Sequence, residues 1–445
     1  MGVTSAAPRS KPMGMWAAVS LGVGAMVGAG IFALLGQAGA QAGSAVWISF
    51  VVGGVIALFS GYSLAKLGIR YPSSGGLIEY LVQGYGEGWL SGSMSVMFYL
   101  SALAGIAMVA RTFGDYGIQL FGFEGTLAAQ LFTAGVLIAF TALNLAGSAG
   151  VAGVEKVIVA IKVGGLVAFA VAAIAVGDPG RMSPSNYPAV TAVAGSIALT
   201  FFAFEGFRVI TNAVEDMPDP DRDLPRSMTV AILLVTALYV LVAVAVFSAL
   251  DVDQVAAAKD FALAEATRPL LDGTGFRLMA VLALLSTASG INAAMYAVTN
   301  VTYTMAIRGE LPEVVSRKVW RSREGLLVSA AILIPVAVFM DIGEIAAVGS
   351  MAILSVHAMV HFGHLRLLGE TGASRRLVVA ALVFTSGAVL VSLKSTVEQS
   401  TAAVVVLVAL PVSAVLVEGV FRATHGRVVR ARIVGRRLVP HRIRD

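Results

Sequence analysis

Apolar residues along this chain fall in long runs separated by short polar stretches. A helix needs about 20 apolar residues to cross a bilayer. Roughly twelve such segments can be marked, at 14–39, 44–68, 89–121, 125–147, 154–177, 190–215, 226–250, 274–307, 325–340, 343–366, 375–394 and 399–421. The pattern therefore predicts an all-α integral membrane protein. The longest polar segments are 216–225, 251–273, 308–324 and the C-terminal tail, and no soluble domain is visible. The 251–273 stretch is amphipathic and is expected as a short helix over the mouth of a pore. The first apolar run is too long for a signal peptide and has no clear cleavage site, so it reads as a retained span.

Composition agrees. Of 445 residues, 58% are hydrophobic and 13% charged, against about 25% charged in soluble proteins. With no cysteine, disulfides and thiol–metal sites are excluded. The net charge of +5 has a topological explanation. Lys66, Arg70, Arg222, Arg226, Arg308, Arg317, Lys318, Arg321, Arg323, Arg366, Arg375, Arg376 and the arginines from Arg422 to Arg444 share one side of the predicted topology. The other side holds Arg181, Lys259, Arg268, Arg277 and Lys394. By the positive-inside rule both termini are expected in the cytoplasm, with the protein in the plasma membrane. The basic tail then reads as a topology and anionic-lipid signal rather than a nucleic-acid site. Walker, dinucleotide and nucleophile-elbow motifs are absent, so neither ATP-driven pumping nor hydrolysis is expected.

Two segments interrupt their spans. The first is GAMVGAGIF at 24–32. Gly24 and Gly28 are spaced as a small-residue packing face. Alternatively Gly24, Gly28 and Gly30 mark an unwound point, tolerated at membrane depth only where it lines a cavity. Such a break would free N–H groups at Ala29, Gly30 and Ile31, where the dipole of the following half-helix favours an anion. The second segment is the sixth span, where Glu205, Gly206 and Arg208 interrupt an apolar helix. Charges there should face a cavity or a partner, and a local Glu205–Arg208 pair is one reading. Interruptions in spans one and six are offset as an inverted repeat of five plus five helices would place them.

With those residues in view, the chain resembles the amino acid–polyamine–organocation permeases. Four motifs carry the likeness: GAGIF in span one, LGIRYPSSGGLIEYLVQGYGEGWLSG at 67–92, FFAFEGFRVITNAVEDMPDPDRDLPRSM from span six, and LLSTASGINAAMYAVTNVTYTMAIRGELP at 284–312. The resemblance implies a leucine-transporter fold: two inverted five-helix repeats plus two C-terminal helices, twelve transmembrane helices in all. On that plan 1–13 is a cytoplasmic N-terminus, 14–177 repeat one, 190–366 repeat two, 375–421 the last two spans and 422–445 a basic cytoplasmic tail. It also implies alternating-access transport of an amino acid. The substrate carboxylate would bind near Gly28, Ala29, Gly30 and Ile31. Its ammonium would meet carbonyls around Phe201, Phe202, Ala203 and Phe204, with Phe201 as a lid.

Lys162 lies inside span five, where a lysine is a functional candidate by default. A snorkelling side chain is the competing reading. In proton-coupled and exchanging members of the family a lysine here replaces a sodium ion, which implies the Gly24 carbonyl region, Ser286 and Ser289 as neighbours. Desolvation disfavours a charged lysine, so a site alternating between wet and dry can exchange a proton. Symport with protons and obligatory exchange both remain open.

Glu205 has three readings: recognition of a cationic side chain, a structural pair with Arg208, or a proton site. Arg111 is expected to pair with Asp115. His357, His361 and His364 recur at helical spacing, but no carboxylate is expected to accompany them, so they are not assigned a metal, and His364 is expected at the cytoplasmic interface. The loop carrying Glu215, Asp216, Asp219, Asp221, Asp223, Arg222 and Arg226 reads as gate and loop contacts. No enzyme activity and no cofactor are expected. The partners are a small amino acid, a proton and the lipid bilayer, with the oligomeric state open. An exchanger of amino acids or polyamines is the alternative, and a non-transporting amino acid receptor is a third reading.

Overall fold

The computed structural model describes residues 13–73, 75–146, 152–307, 318–319, 322–399 and 401–425. The expected N-terminal arm, most of the 308–324 loop and the distal basic tail lie outside the described residues.

Long apolar runs fold as helices because a helix satisfies its own backbone polar groups. In chain order these are α1 (Met15–Ala42), α2 (Val46–Arg70), α3 (Leu77–Tyr85), α4 (Trp89–Phe121), α5 (Thr126–Ala146) and α6 (Ala152–Val176). The sixth span is divided into α7 (Val190–Gly195), α8 (Ile197–Ala203) and a 3-10 run, Glu205–Asp216. Then come α9 (Pro220–Ala249), α10 (Val252–Ala257), α11 (Ala262–Glu265), α12 (Arg268–Ile307), α13 (Glu324–Phe339) and α14 (Ile342–His364). The chain closes with α15 (Leu368–Thr371), α16 (Arg375–Gln399) and α17 (Thr401–His425). Lys318–Val319 and Ser322–Arg323 form a small antiparallel pair.

Among the described residues, nine helical stretches are long and apolar enough to cross a membrane, and shorter apolar ones cover Met15–Gly28, Glu324–Phe339 and Val408–Val420. α1 is the axis of the bundle. It packs against α6, α8, the 3-10 run, α9 and α12. On another side α14 packs against α4, α8, α16 and α3. The amphipathic 251–273 stretch forms α10, α11 and the start of α12 rather than one helix. It presses on α1: a Cβ at Gly36 would lie 2.8 Å from the Lys259 carbonyl carbon, and Gln37 Nε2 donates to Asp260 Oδ1 at 2.6 Å. Burial pushes the Asp260 carboxyl above the usual carboxylate range.

One expectation is overturned here. α1 runs unbroken from Met15 to Ala42, so GAMVGAGIF is wound. The reason is packing. Its small residues bring two backbones together: a Cβ at Gly30 would lie 2.9 Å from Ala203 Cα, and one at Gly206 would lie 2.5 Å from Met26 N. The small-residue face is the role these glycines play in this structure.

The sixth span breaks as expected. α8 ends at Ala203, and beyond it Phe204 N–H donates to the Phe201 carbonyl and Phe207 N–H to the Phe204 carbonyl, both at 2.9 Å. These i to i+3 bonds begin a 3-10 run of 12 residues. Such runs rarely exceed about four residues and often mark hinges.

Candidate functional site

The candidate site is the seam between α1 and the break after α8. Tyr239, from α9, ties the two sides together: its hydroxyl is 2.8 Å from the Met26 carbonyl and 3.1 Å from the Ala203 carbonyl. Ala203 is the last residue of α8, where a carbonyl loses its helical partner, so the tyrosine supplies the missing donor. Its ring also packs on Phe204, centroids 5.1 Å apart. Phe201 is fully buried and meets His357 edge-on at 5.5 Å. Phe202 turns toward α14, its Cζ 3.0 Å from where a Cβ on Gly349 would sit. Gly28, Gly30 and Ile31 line the α1 side and are buried; the side chain of Ala29 is outside the description. Replacing Tyr239 by Phe strips the Ala203 carbonyl of that donor, and an unsatisfied buried group costs about 1–3 kcal/mol. A calorimetric melt should show that loss.

A second cluster lies behind α1. Lys162, on α6, is 1% exposed, so it does not snorkel. Its Nζ donates to the Gly24 carbonyl at 2.7 Å. Gly28 makes room for the ammonium, because a Cβ there would come within 3.2 Å of Nζ and 3.6 Å of the Ser286 carbonyl. Ser286 Oγ donates to the Val27 carbonyl at 3.4 Å, and Ser289 is buried on the same helix. Lys162, Gly24 and Ser286 thus converge where α1, α6 and α12 meet.

Glu205 stands at the head of the 3-10 run with both carboxylate oxygens engaged. Arg208 Nε bonds Oε1, and its guanidinium covers the Phe98 ring at 4.8 Å. His357 Nε2 lies 3.1 Å from Oε2. The histidines of α14 therefore do have a carboxylate neighbour, contrary to expectation. It comes from a span 152 residues away in sequence. His364, the last residue of α14, is fully buried, with Nε2 2.9 Å from Thr371 Oγ1. Arg111 Nε pairs with Asp115 Oδ2 at 3.2 Å as expected, and also donates from its guanidinium to the Val338 carbonyl at 3.3 Å.

Sequence reading passed over Tyr239, Ser60 and Ser63. Each left a signal: Tyr239 is a lone hydroxyl-bearing ring inside an apolar span, and the two serines sit three apart on α2.

A bundle of long apolar helices, with a broken sixth span and a buried lysine bonded to the backbone of α1, is the architecture of a multi-pass membrane permease. The chain is a member of the amino acid permease family, whose sequence profile matches residues 13–365. It is 36% identical over 379 residues to the inner membrane transport protein YbaT of Escherichia coli, covering 84% of this chain and 88% of that one. It is 27% identical over 307 residues to the serine/threonine exchanger SteT of Bacillus subtilis, 68% and 69% of the two chains. In fold it is similar to a manganese transporter of Eremococcus coleocola solved with an aromatic bis-isothiourea compound, with TM-score 0.62, 13% identity and coverage of 92% and 95%. The protein is thus a permease-like secondary transporter of a small solute.

Proposed function

We propose that the protein carries an amino acid across the plasma membrane by alternating access, coupled to protons through Lys162. The twelve spans would be two inverted repeats, 14–177 and 190–366, followed by 375–421, with both termini cytoplasmic. The observation that carries the reading is the buried Lys162 ammonium on the Gly24 carbonyl, at 2.7 Å. It ties the buried lysine of α6 to the helix that also forms the substrate seam, so a change of charge at one is felt at the other. Substrate would bind between Gly28–Ile31 and Phe201–Phe204, the carboxylate on amides of α1 and the ammonium on carbonyls at the α8 break. Because α1 is wound in this structure, binding there entails local opening of the Gly24–Gly30 turn. Glycine lowers helix preference by about 1 kcal/mol at each position, so three of them make that opening inexpensive. Ser286 and Ser289 would accept the ammonium of Lys162 as the bundle rocks.

The test is uptake of radiolabelled amino acids into proteoliposomes under an inward proton gradient. Concentrative uptake supports symport. Counterflow without concentration supports an exchanger, a reading favoured by the similarity to SteT. Saturable binding with neither would leave only a receptor.

Glu205 already holds Arg208 and His357, which supports an internal role over recognition of a cationic side chain. Glu205→Gln should then change the preference between arginine and alanine by less than about twofold. A tenfold loss confined to arginine contradicts this.

A further inference from the structure

One face of α14 and one face of α2 carry an unbroken line of hydrogen bonds that substrate binding does not use. From Glu205 Oε2 it passes to His357 Nε2 at 3.1 Å, then from His357 Nδ1 to Ser60 Oγ at 2.8 Å. Ser60 Oγ meets His361 Nε2 at 2.9 Å, and His361 Nδ1 meets Ser63 Oγ at 2.9 Å. Ser63 Oγ meets His364 Nδ1 at 2.8 Å, and His364 Nε2 meets Thr371 Oγ1 at 2.9 Å. All three histidines and both serines are 0% exposed. Thr371 is half-buried, at the end of α15, where the line leaves the bundle.

The helical repeats explain the fit. Positions 357, 361 and 364 fall on one face of α14, and 60 and 63 on the facing side of α2. Each serine stands between two imidazoles, so it donates to one and accepts from the other. With Glu205 ionised, His357 must donate from Nε2, and that fixes every other hydrogen. Ser60 donates to His357 Nδ1 and accepts from His361 Nε2–H. Ser63 donates to His361 Nδ1 and accepts from His364 Nδ1–H. His364 Nε2 is left as an acceptor facing Thr371. Every donor therefore points toward Glu205.

We propose that this column is a proton relay, loading Glu205 from the membrane face that carries Thr371. A proton arriving at His364 Nε2 displaces the one on Nδ1 to Ser63, whose own hydrogen moves to His361 Nδ1. His361 Nε2–H passes to Ser60, Ser60 passes its hydrogen to His357 Nδ1, and His357 Nε2–H protonates the Glu205 carboxylate. One N–H forms at His364 Nε2, one O–H forms at Glu205, each imidazole exchanges one tautomer for the other, and nothing is oxidised or reduced. At the entry, Thr371 satisfies both states: its hydroxyl donates to His364 at first, then to the Leu367 carbonyl, 3.1 Å away. Neutral Glu205 no longer balances Arg208, so loading the relay loosens the head of the 3-10 run beside the substrate seam.

The charged and titratable surroundings fit a column that is dry along its length and wet at one end. The 3-10 run contributes Glu205 and Arg208. Near the exit, Glu370 of α15 accepts from Tyr71 Oη at 2.8 Å and lies 3.6 Å from Arg70. Burial and the Glu370 carboxylate push Tyr71 up to about 12, so it does not compete as a proton donor near neutral pH. α3 contributes Glu79, bonded to Gln83, with Tyr80 and Tyr85. Arg366 covers the Tyr85 ring, 5.0 Å away, and Tyr62 of α2 accepts from Ser374 N–H. α4 and α16 bring charge toward their ends, at Arg111, Asp115, Arg375, Arg376, Lys394 and Glu398, and α17 brings Glu418, ion-paired with Arg422 at 2.8 Å. α8 brings none. Among the described residues no group of side chains is placed to hold a metal ion.

This inference concerns the proton pathway of the transport proposed above, but its test needs no substrate. In purified, folded protein, infrared spectroscopy after a downward pH jump reads the carboxylic carbonyl band of Glu205, assigned by its loss in Glu205→Gln. Ser60→Ala cuts two links and should slow the growth of that band roughly tenfold or more, and Ser60→Thr, which restores a hydroxyl, should recover it. Should Ser60→Ala fail to fold, His361→Gln carries the same comparison. An unchanged rate in the cut variant, or no Glu205 band in the wild type after the pH jump, overturns the relay. In proteoliposomes, the cut variants should lose gradient-driven uptake while symmetric-pH counterflow persists. A wild type that moves no amino acid ends the transport reading and leaves the infrared result to judge the relay.

Discussion

Gly30→Ala should abolish transport, lowering initial uptake about 100-fold or more. The new Cβ would sit 2.5 Å from Tyr239 Oη and 2.9 Å from Ala203 Cα, distances at which something must shift. Neither obstacle is a flexible side-chain end, because one is backbone and the other a hydroxyl already bonded to Met26 and Ala203. The substitution also removes one of the three glycines that make the Gly24–Gly30 turn easy to open. Overpacking of this kind costs about 1–3 kcal/mol, which the bundle should survive, so folded but inactive protein is the expected outcome. Gly164→Ala is the control. It lies on α6 with nothing within 4 Å of a new Cβ, and its uptake should match the wild type. A Gly30→Ala protein that transports normally would place the substrate elsewhere.

Lys162→Ala should eliminate pH-driven uptake, by about 50-fold or more. Its ammonium is the Gly24 carbonyl's cross-helix donor, and its removal unlinks α6 from α1 as well as deleting the coupling charge. The measurement is uptake into proteoliposomes with and without an inward proton gradient, beside symmetric-pH counterflow. If the lysine exchanges a proton in each cycle, gradient dependence vanishes. If it stays charged as a fixed replacement for an ion, counterflow falls with it. Retained gradient-driven uptake would end the proton-coupling proposal.

Much of this molecule could be read from the chain, because hydrocarbon leaves few ways to satisfy a backbone. Helices lie over the apolar runs, and the ends of α4, Trp89–Phe121, and of α13, Glu324–Phe339, fall within one residue of the expected bounds. The broken sixth span was legible because Glu205, Gly206 and Arg208 sit where a continuous apolar helix would otherwise run. Lys162 and its Gly24 partner were legible through the family likeness. The first span was not. GAMVGAGIF permits both a break and a close contact, and which occurs depends on what faces it. Here the partner is the Ala203–Gly206 backbone, and contact prevails. The histidines of α14 illustrate the same difficulty. Their spacing was plain, but their meaning depends on Ser60, Ser63 and Glu205, which reach them from two other helices. Tyr239 is similar: the two carbonyls it bridges belong to elements far apart in sequence.

The central claim is that an amino acid is held between Gly28–Ile31 and Phe201–Phe204 once α1 opens. Ligands that bind the folded state raise its melting temperature, so a thermal screen against all amino acids selects the one to use. The direct measurement is then a structure with that amino acid bound. The expected result is ligand density in the seam, its carboxylate on amides of an opened Gly28–Ile31 turn and its ammonium on carbonyls of the α8 end. Density elsewhere, with α1 still wound against Ala203, would contradict the account.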